Sequence, residues 1–190
     1  MEEVLKDFAR LDLLYNVDSL IVVLMSHGSN EYIYGTDNQR IPVLGLVKLF
    51  NGDCCPAMRG KPKMFLINAC RGGDSDCRNR LGGIVVHVDV ELVGEESERS
   101  LFRTQPANSD FVLAYSTFPG YVSFRDEDDG SWFIQCFVEV CKHHAREEHV
   151  MDLLTRVNSE VAKMGESQEG YNLMIPAPMM TLTKMGESQE

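Results

Sequence analysis

Apolar residues in this chain fall into short unbroken runs, separated by stretches in which they recur every three or four positions. Met64-Phe65-Leu66-Ile67 is one such run, of strand length, and it stops at Asn68-Ala69-Cys70-Arg71-Gly72-Gly73. Ser19 to Met25 is a second, ending at Ser26-His27-Gly28, and Phe111 to Tyr115 is a third, turning away at Ser116 to Gly120. Runs without alternation predict strands buried on both faces, as in a parallel sheet. Helical spacing predicts a short amphipathic helix over residues 3–14 and another from Val43 to Phe50, starting near Pro42. Further helices are predicted from a Ser131 cap to about His144 and from Val150 to Met164. Tyr32 to Asp37 reads as a short hairpin turning at Asp37-Asn38. Ile175 to Leu182 reads as a last strand, which Pro176 and Pro178 place at a sheet edge. Strand, helix, strand in that order is the signature of the α/β class: an open, mostly parallel sheet with helices on both faces.

The pattern breaks between Asp74 and Pro106, where the one apolar run is Ile84 to Val90. A loop of that length inside a compact domain is functional or disordered, and it divides the chain into two halves. Lys163 to Glu169 recurs letter for letter as Lys184 to Glu190. A repeat architecture needs several diverged copies, so the duplicated heptapeptide reads as an artefact or an altered terminus.

Composition narrows the function classes. A chain of 190 residues with 44% hydrophobic residues suits a single domain with a sizeable core. Its 29 acidic against 18 basic residues give a formal charge of −11, which argues against nucleic-acid binding and against an anionic membrane surface. No apolar run approaches the roughly 20 residues that span a bilayer. The charged start, Met-Glu-Glu-Val-Leu-Lys-Asp, is not a signal peptide, so a cytoplasmic location is expected. There the six cysteines (Cys54, Cys55, Cys70, Cys77, Cys136, Cys141) are expected to be reduced. None has partners at zinc-site spacing, and neither a metal nor a cofactor is expected.

The candidate chemistry lies at the two strand ends. A cysteine nucleophile needs a base to generate thiolate and donors for the oxyanion. Cys70 follows one buried run and His27 follows another. Parallel strands would bring both to the same sheet edge, where open α/β sheets carry their sites. Gly28 lets backbone approach a substrate, and the N–H groups of Gly28 and Cys70 are candidate oxyanion donors. Read one at a time, Cys70 is a core cysteine and His27 a strand-end histidine; their shared position carries the catalytic reading. His87, His143, His144 and His149 sit in the linker or at polar positions and are poorer bases.

Asn-Ala-Cys-Arg-Gly at 68–72, Ser-His-Gly at 26–28 and Gly-Ser-Trp-Phe-Ile-Gln at 130–135 resemble the caspases, cytosolic peptidases that cut after aspartate. The family signature is Gln-Ala-Cys-(Arg/Gln/Gly)-Gly with a histidine about 50 residues upstream; here the spacing is 43. With Gly60-Lys61-Pro62-Lys63, Ala114-Tyr115-Ser116-Thr117 and Leu154-Thr155-Arg156-Val157, the resemblance runs from about Asp18 to Thr183, the linker excepted.

The resemblance implies a caspase-like (caspase–haemoglobinase) fold with Cys70 as nucleophile, His27 as general acid/base, and Gly28 and Cys70 as the oxyanion hole. Arg125 matches the arginine that binds the P1 residue, the one preceding the cut bond, although it also reads as a solvated charge beside Asp126 to Asp129. Ser123 would offer main-chain contacts to the substrate, and Val122 and Phe124 would line the P2 pocket. Val122 implies an open P2 site of the initiator-like kind found in invertebrate apical caspases. Asn68 stands where a glutamine is usual; one methylene shorter, it implies a P1 pocket admitting glutamate as well as aspartate.

The family organisation divides the single catalytic domain, residues 1–190, into a large-subunit part (1–73), an intersubunit linker (74–106) and a small-subunit part (107–183). The duplicated heptapeptide (184–190) stands apart. Processing is expected at Asp89, with Asp76 second. Relative to the family, the chain is expected to be truncated before Met1, without the strand and helix carrying a second P1 arginine. The implied function is an initiator-like apoptotic cysteine endopeptidase. The alternative is a weak or inactive homologue acting as decoy or heterodimer regulator. Implied partners are protein or peptide substrates with P1 aspartate, a second copy through the last strand, and an activation platform or inhibitor-of-apoptosis protein.

Overall fold

The computed structural model describes residues 1–72, 106–166 and 174–183, and in those residues the apolar runs become the strands of one sheet. Leu20–Met25 (β1), Lys63–Asn68 (β5) and Phe111–Tyr115 (β6) run parallel, and Ala177–Met180 (β9) returns antiparallel, in the order β1-β5-β6-β9. β5 and β6 are buried along almost their whole length because each has helices on both faces. Glu2–Ala9 (α1) and Val43–Lys48 (α2) cover the face holding Phe65, Ile67, Phe111 and Leu113. Trp132–His144 (α3) and Val150–Glu166 (α4) cover the face holding Leu66, Val112 and Ala114. The mixed, mostly parallel sheet between two helical layers is the α/β architecture expected.

Several expectations are corrected in detail. β1 is not buried on both faces: Leu20, Val22 and Leu24 enter the core, while Ile21, Val23 and Met25 are 59%, 47% and 53% exposed. Among the described residues it is an edge strand, and α3 and α4 stand over β5 and β6 without covering it. The first helix stops at Ala9 because Leu11 is extended; a 3₁₀ turn, Asp12–Asn16, follows. The last strand is confined to Ala177–Met180 at the opposite edge, with Pro178 beside Ala114. An edge tolerates proline because the missing N–H would have faced outward.

Three small strands surround the sheet end. Gly28–Ser29 (β2), Tyr32–Tyr34 (β3) and Arg40–Pro42 (β4) form an antiparallel ribbon in the order β2-β3-β4. The predicted turn is present, with Asn38 at φ 59° and Gly35 N–H donating to the Gln39 carbonyl. Arg125–Asp126 (β7) pairs with Gly130–Ser131 (β8), and Ser131 then caps α3 by accepting from the Ile134 N–H.

At the opposite end of β6, Asp110 ties the sheet to the chain beyond β9. Its carboxylate accepts from Thr183 Oγ1 at 2.7 Å, the Thr183 N–H at 3.2 Å and Ser109 Oγ at 2.9 Å. Burial is the largest single influence on this carboxyl and pushes it up, but the Thr183 and Ser109 bonds, with Lys63 nearby, outweigh it and hold it below the usual range. A depressed folded value means stability present above the unfolded value, about 4, and lost as pH falls through the folded one. Asp110→Asn is therefore expected to melt below wild type at pH 7, with the gap closing as pH drops below about 4. Thermal melts across pH check this, and a gap independent of pH contradicts it.

Candidate active site

The site is built where β1 and β5 end. These strands pair in parallel with a constant offset, Leu20 opposite Lys63 and Met25 opposite Asn68, and the Ser26 N–H continues the ladder onto the Asn68 carbonyl. Carried two residues past the end of the ladder, the same offset would set His27 opposite Cys70. The spacing of 43 between them is the register of the sheet. Neighbouring strands lie about 4.8 Å apart, so the two residues follow adjacent strand ends at one edge of the sheet. His27 is exposed, and the Tyr34 N–H donates to its carbonyl at 2.9 Å. No hydrogen bond joins its ring to Cys70 among the described residues; such bonds often tighten only when substrate binds.

Gly28 packs against the turn that carries the thiol. A Cβ there would lie 2.8 Å from Ala69 Cβ, from the Cys70 carbonyl oxygen and from the Tyr32 carbonyl oxygen. Glycine is the residue that fits so close an approach of two backbones. Cys70 itself is half-buried. The Ser123 N–H donates to its sulfur at 3.4 Å, and the thiol points back to the Ser123 carbonyl at 3.9 Å.

Segment 120–123 lies along segment 70–72. The Arg71 N–H donates to the Tyr121 carbonyl and the Gly120 N–H to the Arg71 carbonyl, both at 2.8 Å. A Cβ on Gly72 would meet the Gly120 carbonyl oxygen at 2.7 Å. Arg71 reaches sideways, its guanidinium 4.0 Å from the Tyr115 ring centroid and its Nε donating to the Asn30 carbonyl. This pairing sets Val122, Ser123 and Phe124, all half-buried, beside the thiol. Phe124 stacks on Trp132 at 5.3 Å, which anchors it to the buried start of α3.

Arg125 opens β7 with its side chain exposed. The acids next to it do not take it up: among the described residues it forms no ion pair. Asp126 instead accepts from the Asp128 and Asp129 N–H groups, which hold its carboxyl below the ordinary range. Asn68, the last residue of β5, is bonded through its side-chain oxygen to Ser123 Oγ and Ser131 Oγ.

The structure thus gathers His27, Gly28, Asn68, Cys70, Val122, Ser123 and Phe124 around one sheet end, with Arg125 at its rim. Asp76 and Asp89 lie outside the described residues, as do Cys77, His87 and the second copy of the heptapeptide. Sequence reasoning missed Arg71, Trp132 and the contact of Ser131 with Asn68. A helix cap was the only role Ser131 signalled; the β7–β8 pairing, with Arg125 opposite Ser131, brings it to Asn68. Of the other described histidines, His143 bonds Glu139 on the exposed surface of α3, and His144, at the end of that helix, meets Glu148.

Comparison with known proteins converges on one family. The caspase domain family matches residues 1–185. Caspase-3 of Bos taurus is 38% identical over 187 residues, which cover 92% of this chain and 64% of that protein. Caspase-3 of Felis catus is 41% identical over 149 residues, 78% of this chain and 50% of the relative. Caspase-7 of Gallus gallus is 38% identical over 167 residues, 85% and 52% respectively. The chain spans less than two thirds of the length of these relatives.

Proposed function

The chain belongs to the caspase domain family, and on that premise we propose that it is a cysteine endopeptidase cutting polypeptides after aspartate in apoptotic signalling. The observation that carries this reading is the shared register: one strand offset delivers Cys70 and His27 to neighbouring strand ends, with Gly28 backbone packed on Cys70.

In this reading His27 takes the Cys70 proton as the sulfur attacks the P1 carbonyl carbon. The N–H groups of Gly28 and Cys70 hold the developing oxyanion. The tetrahedral intermediate collapses as His27 returns the proton to the leaving amine, and the C–N bond breaks to leave a thioester on Cys70. His27 then takes a proton from water, whose oxygen attacks the thioester; the acid is released and the thiol restored. The Arg125 guanidinium, which forms no ion pair among the described residues, is suited to the P1 carboxylate, a geometry lysine does not reproduce. The Ser123 main chain would pair with the extended substrate once its bonds to Cys70 open, and Val122 and Phe124 would border P2.

Asn68 ends one methylene short of a glutamine, which supports a P1 pocket roomy enough for glutamate. Peptides differing only in P1 aspartate or glutamate are expected to show kcat/KM within about 100-fold of each other; a gap of several orders of magnitude contradicts this. An initiator-like role has narrower support, the modest size of Val122, and the same peptides varied at P2 test it: strong rejection of bulky P2 side chains contradicts an open site. Processing at Asp89, or secondarily Asp76, is proposed on the resemblance alone, and unchanged processing of Asp89→Ala would remove it. A homodimer through the last strand is supported by the outer edge of β9, where Met179 and Met180 are exposed; sedimentation velocity showing a monomer at every concentration contradicts it.

A regulatory reading, as a weak homologue or heterodimer partner, draws on one observation. The Cys70 thiol is bonded to Ser123 and not to His27. Turnover of P1-aspartate peptides by the isolated chain excludes it.

A further inference from the structure

The segment that brings Ser123 to the thiol is held from behind by a sulfur atom. β7 and β8 pair Arg125 with Ser131 and Asp126 with Gly130, so the next pair in register is Phe124 with Trp132. Half of that pair is made: the Trp132 N–H donates to the Phe124 carbonyl at 3.4 Å. A regular antiparallel pair would return a bond from the Phe124 N–H to the Trp132 carbonyl. Here that carbonyl is turned along the axis of α3, which begins at Trp132. A leftover N–H beside an apolar core costs free energy comparable to a lost hydrogen bond. Met174 Sδ accepts it, at 3.2 Å. Met174 is 1% exposed and belongs to the cluster that α3 and α4 bury against the sheet, three residues before β9. Main-chain groups alternate sides along an extended strand. With those of Phe124 turned toward Trp132 and Met174, those of Ser123 and Arg125 face the opposite side. Ser123 shows it by donating its N–H to the Cys70 sulfur.

We propose that Met174 is a positioning residue for peptide substrates: its sulfur sets the place of the 123–125 main chain, against which an extended peptide is laid. This rests on the endopeptidase reading. A peptide whose P1 residue sits beside Ser123 and Cys70 brings P3, the residue two before P1, beside Arg125. A strand added in this way is held by main-chain hydrogen bonds. Those at Arg125 reach full strength only if its backbone stands at the right distance from the peptide. Arg125 follows Phe124 directly, and Phe124 is fixed by the Trp132 bond, by its stacking on Trp132 and by the Met174 sulfur. A thioether is a weak acceptor, so the hold is modest. Its loss should appear in substrate binding and leave the chemistry at Cys70 in place.

The test measures kcat and KM for two peptides with P1 aspartate, identical except for an N-methyl group on the P3 nitrogen of the second. The methyl group removes the N–H that would donate to the Arg125 carbonyl. Met174→Leu deletes the acceptor at nearly constant volume, a change that cores tolerate. Met174→Gln supplies a carbonyl oxygen on a similarly unbranched chain. With the parent peptide, Met174→Leu is expected to raise KM about fivefold, one neutral hydrogen bond's worth, with kcat within about twofold of wild type. Met174→Gln should return KM to within about twofold of wild type. With the methylated peptide, Met174→Leu should change KM less than about twofold, because variant and methyl group disturb the same contact and their effects do not add. A purely structural role would lower kcat/KM for both peptides equally and track the melting temperature. An unchanged KM for the parent peptide in Met174→Leu overturns the proposal alone. So does an equal loss with the methylated peptide, or a wild type that does not distinguish the two peptides. These comparisons need only wild type and the leucine variant, and they stand whether or not glutamine folds at so buried a position. No turnover of P1-aspartate peptides by wild type removes the endopeptidase reading, and this inference with it.

Discussion

Cys70→Ala is expected to lower kcat/KM for P1-aspartate peptides by about 10⁴-fold or more, the scale on which hydrolases lose activity when the nucleophile is removed. The fold should survive. The thiol is half-buried, and its contacts are the Ser123 N–H at 3.4 Å and the Ser123 carbonyl at 3.9 Å, both long. A melting temperature within a few degrees of wild type would separate loss of chemistry from loss of structure. Residual activity within tenfold of wild type would mean that the sulfur forms no bond to the substrate, and the endopeptidase mechanism would be wrong.

Gly28→Ala is the second large effect. The added methyl would stand 2.8 Å from two carbonyl oxygens and from Ala69 Cβ, with no flexible side-chain tip to give way. The ribbon beginning at Gly28 must therefore move off the end of β5. Overpacking of this kind costs about 1–3 kcal/mol in stability. The functional loss is larger than that figure suggests, because the shift carries the Gly28 N–H away from the oxyanion position. A displacement near 1 Å costs about 10²-fold in rate. Gly45→Ala is the control: its Cβ would meet nothing closer than Pro42 Cβ at 3.8 Å, and it lies within α2. There alanine should gain up to about 1 kcal/mol through helix propensity. Gly28→Ala retaining activity within threefold of wild type would show that this close approach does not shape the site.

The parts of this structure legible in the sequence are those where one local pattern decides the outcome. Met64 to Ile67 reads as doubly buried and is, because both helical layers cover β5. The same kind of run at Leu20 to Met25 was equally apolar yet buries one face. A run of apolar residues reports what a strand can tolerate and not which helices reach it. The helix cap at Ser131 was readable from local chemistry, whereas its bond to Asn68 spans 63 residues and depends on a ribbon of two-residue strands. Strands that short have no period to detect. Arg71 was hidden for a different reason: it sits inside the motif that drew attention to Cys70, but its partners are far away in sequence, Asn30 in the ribbon and Tyr115 and Tyr121 in the other half of the chain. The His27–Cys70 spacing was visible as a number. It acquired physical meaning once the strand register matched it.

The most direct test of the central claim is covalent. A peptide ending in an aspartyl chloromethyl ketone alkylates a thiol that attacks beside a bound aspartate, forming a thioether and releasing chloride. Mass mapping after brief exposure should find a single adduct, on Cys70, forming at least about tenfold faster than with the glycyl analogue, the factor one charge-assisted contact to the aspartate supplies. Cys70→Ala should give no adduct. Adducts spread over Cys54 and Cys141, or equal rates for the aspartyl and glycyl reagents, would contradict a Cys70-centred, acid-reading site.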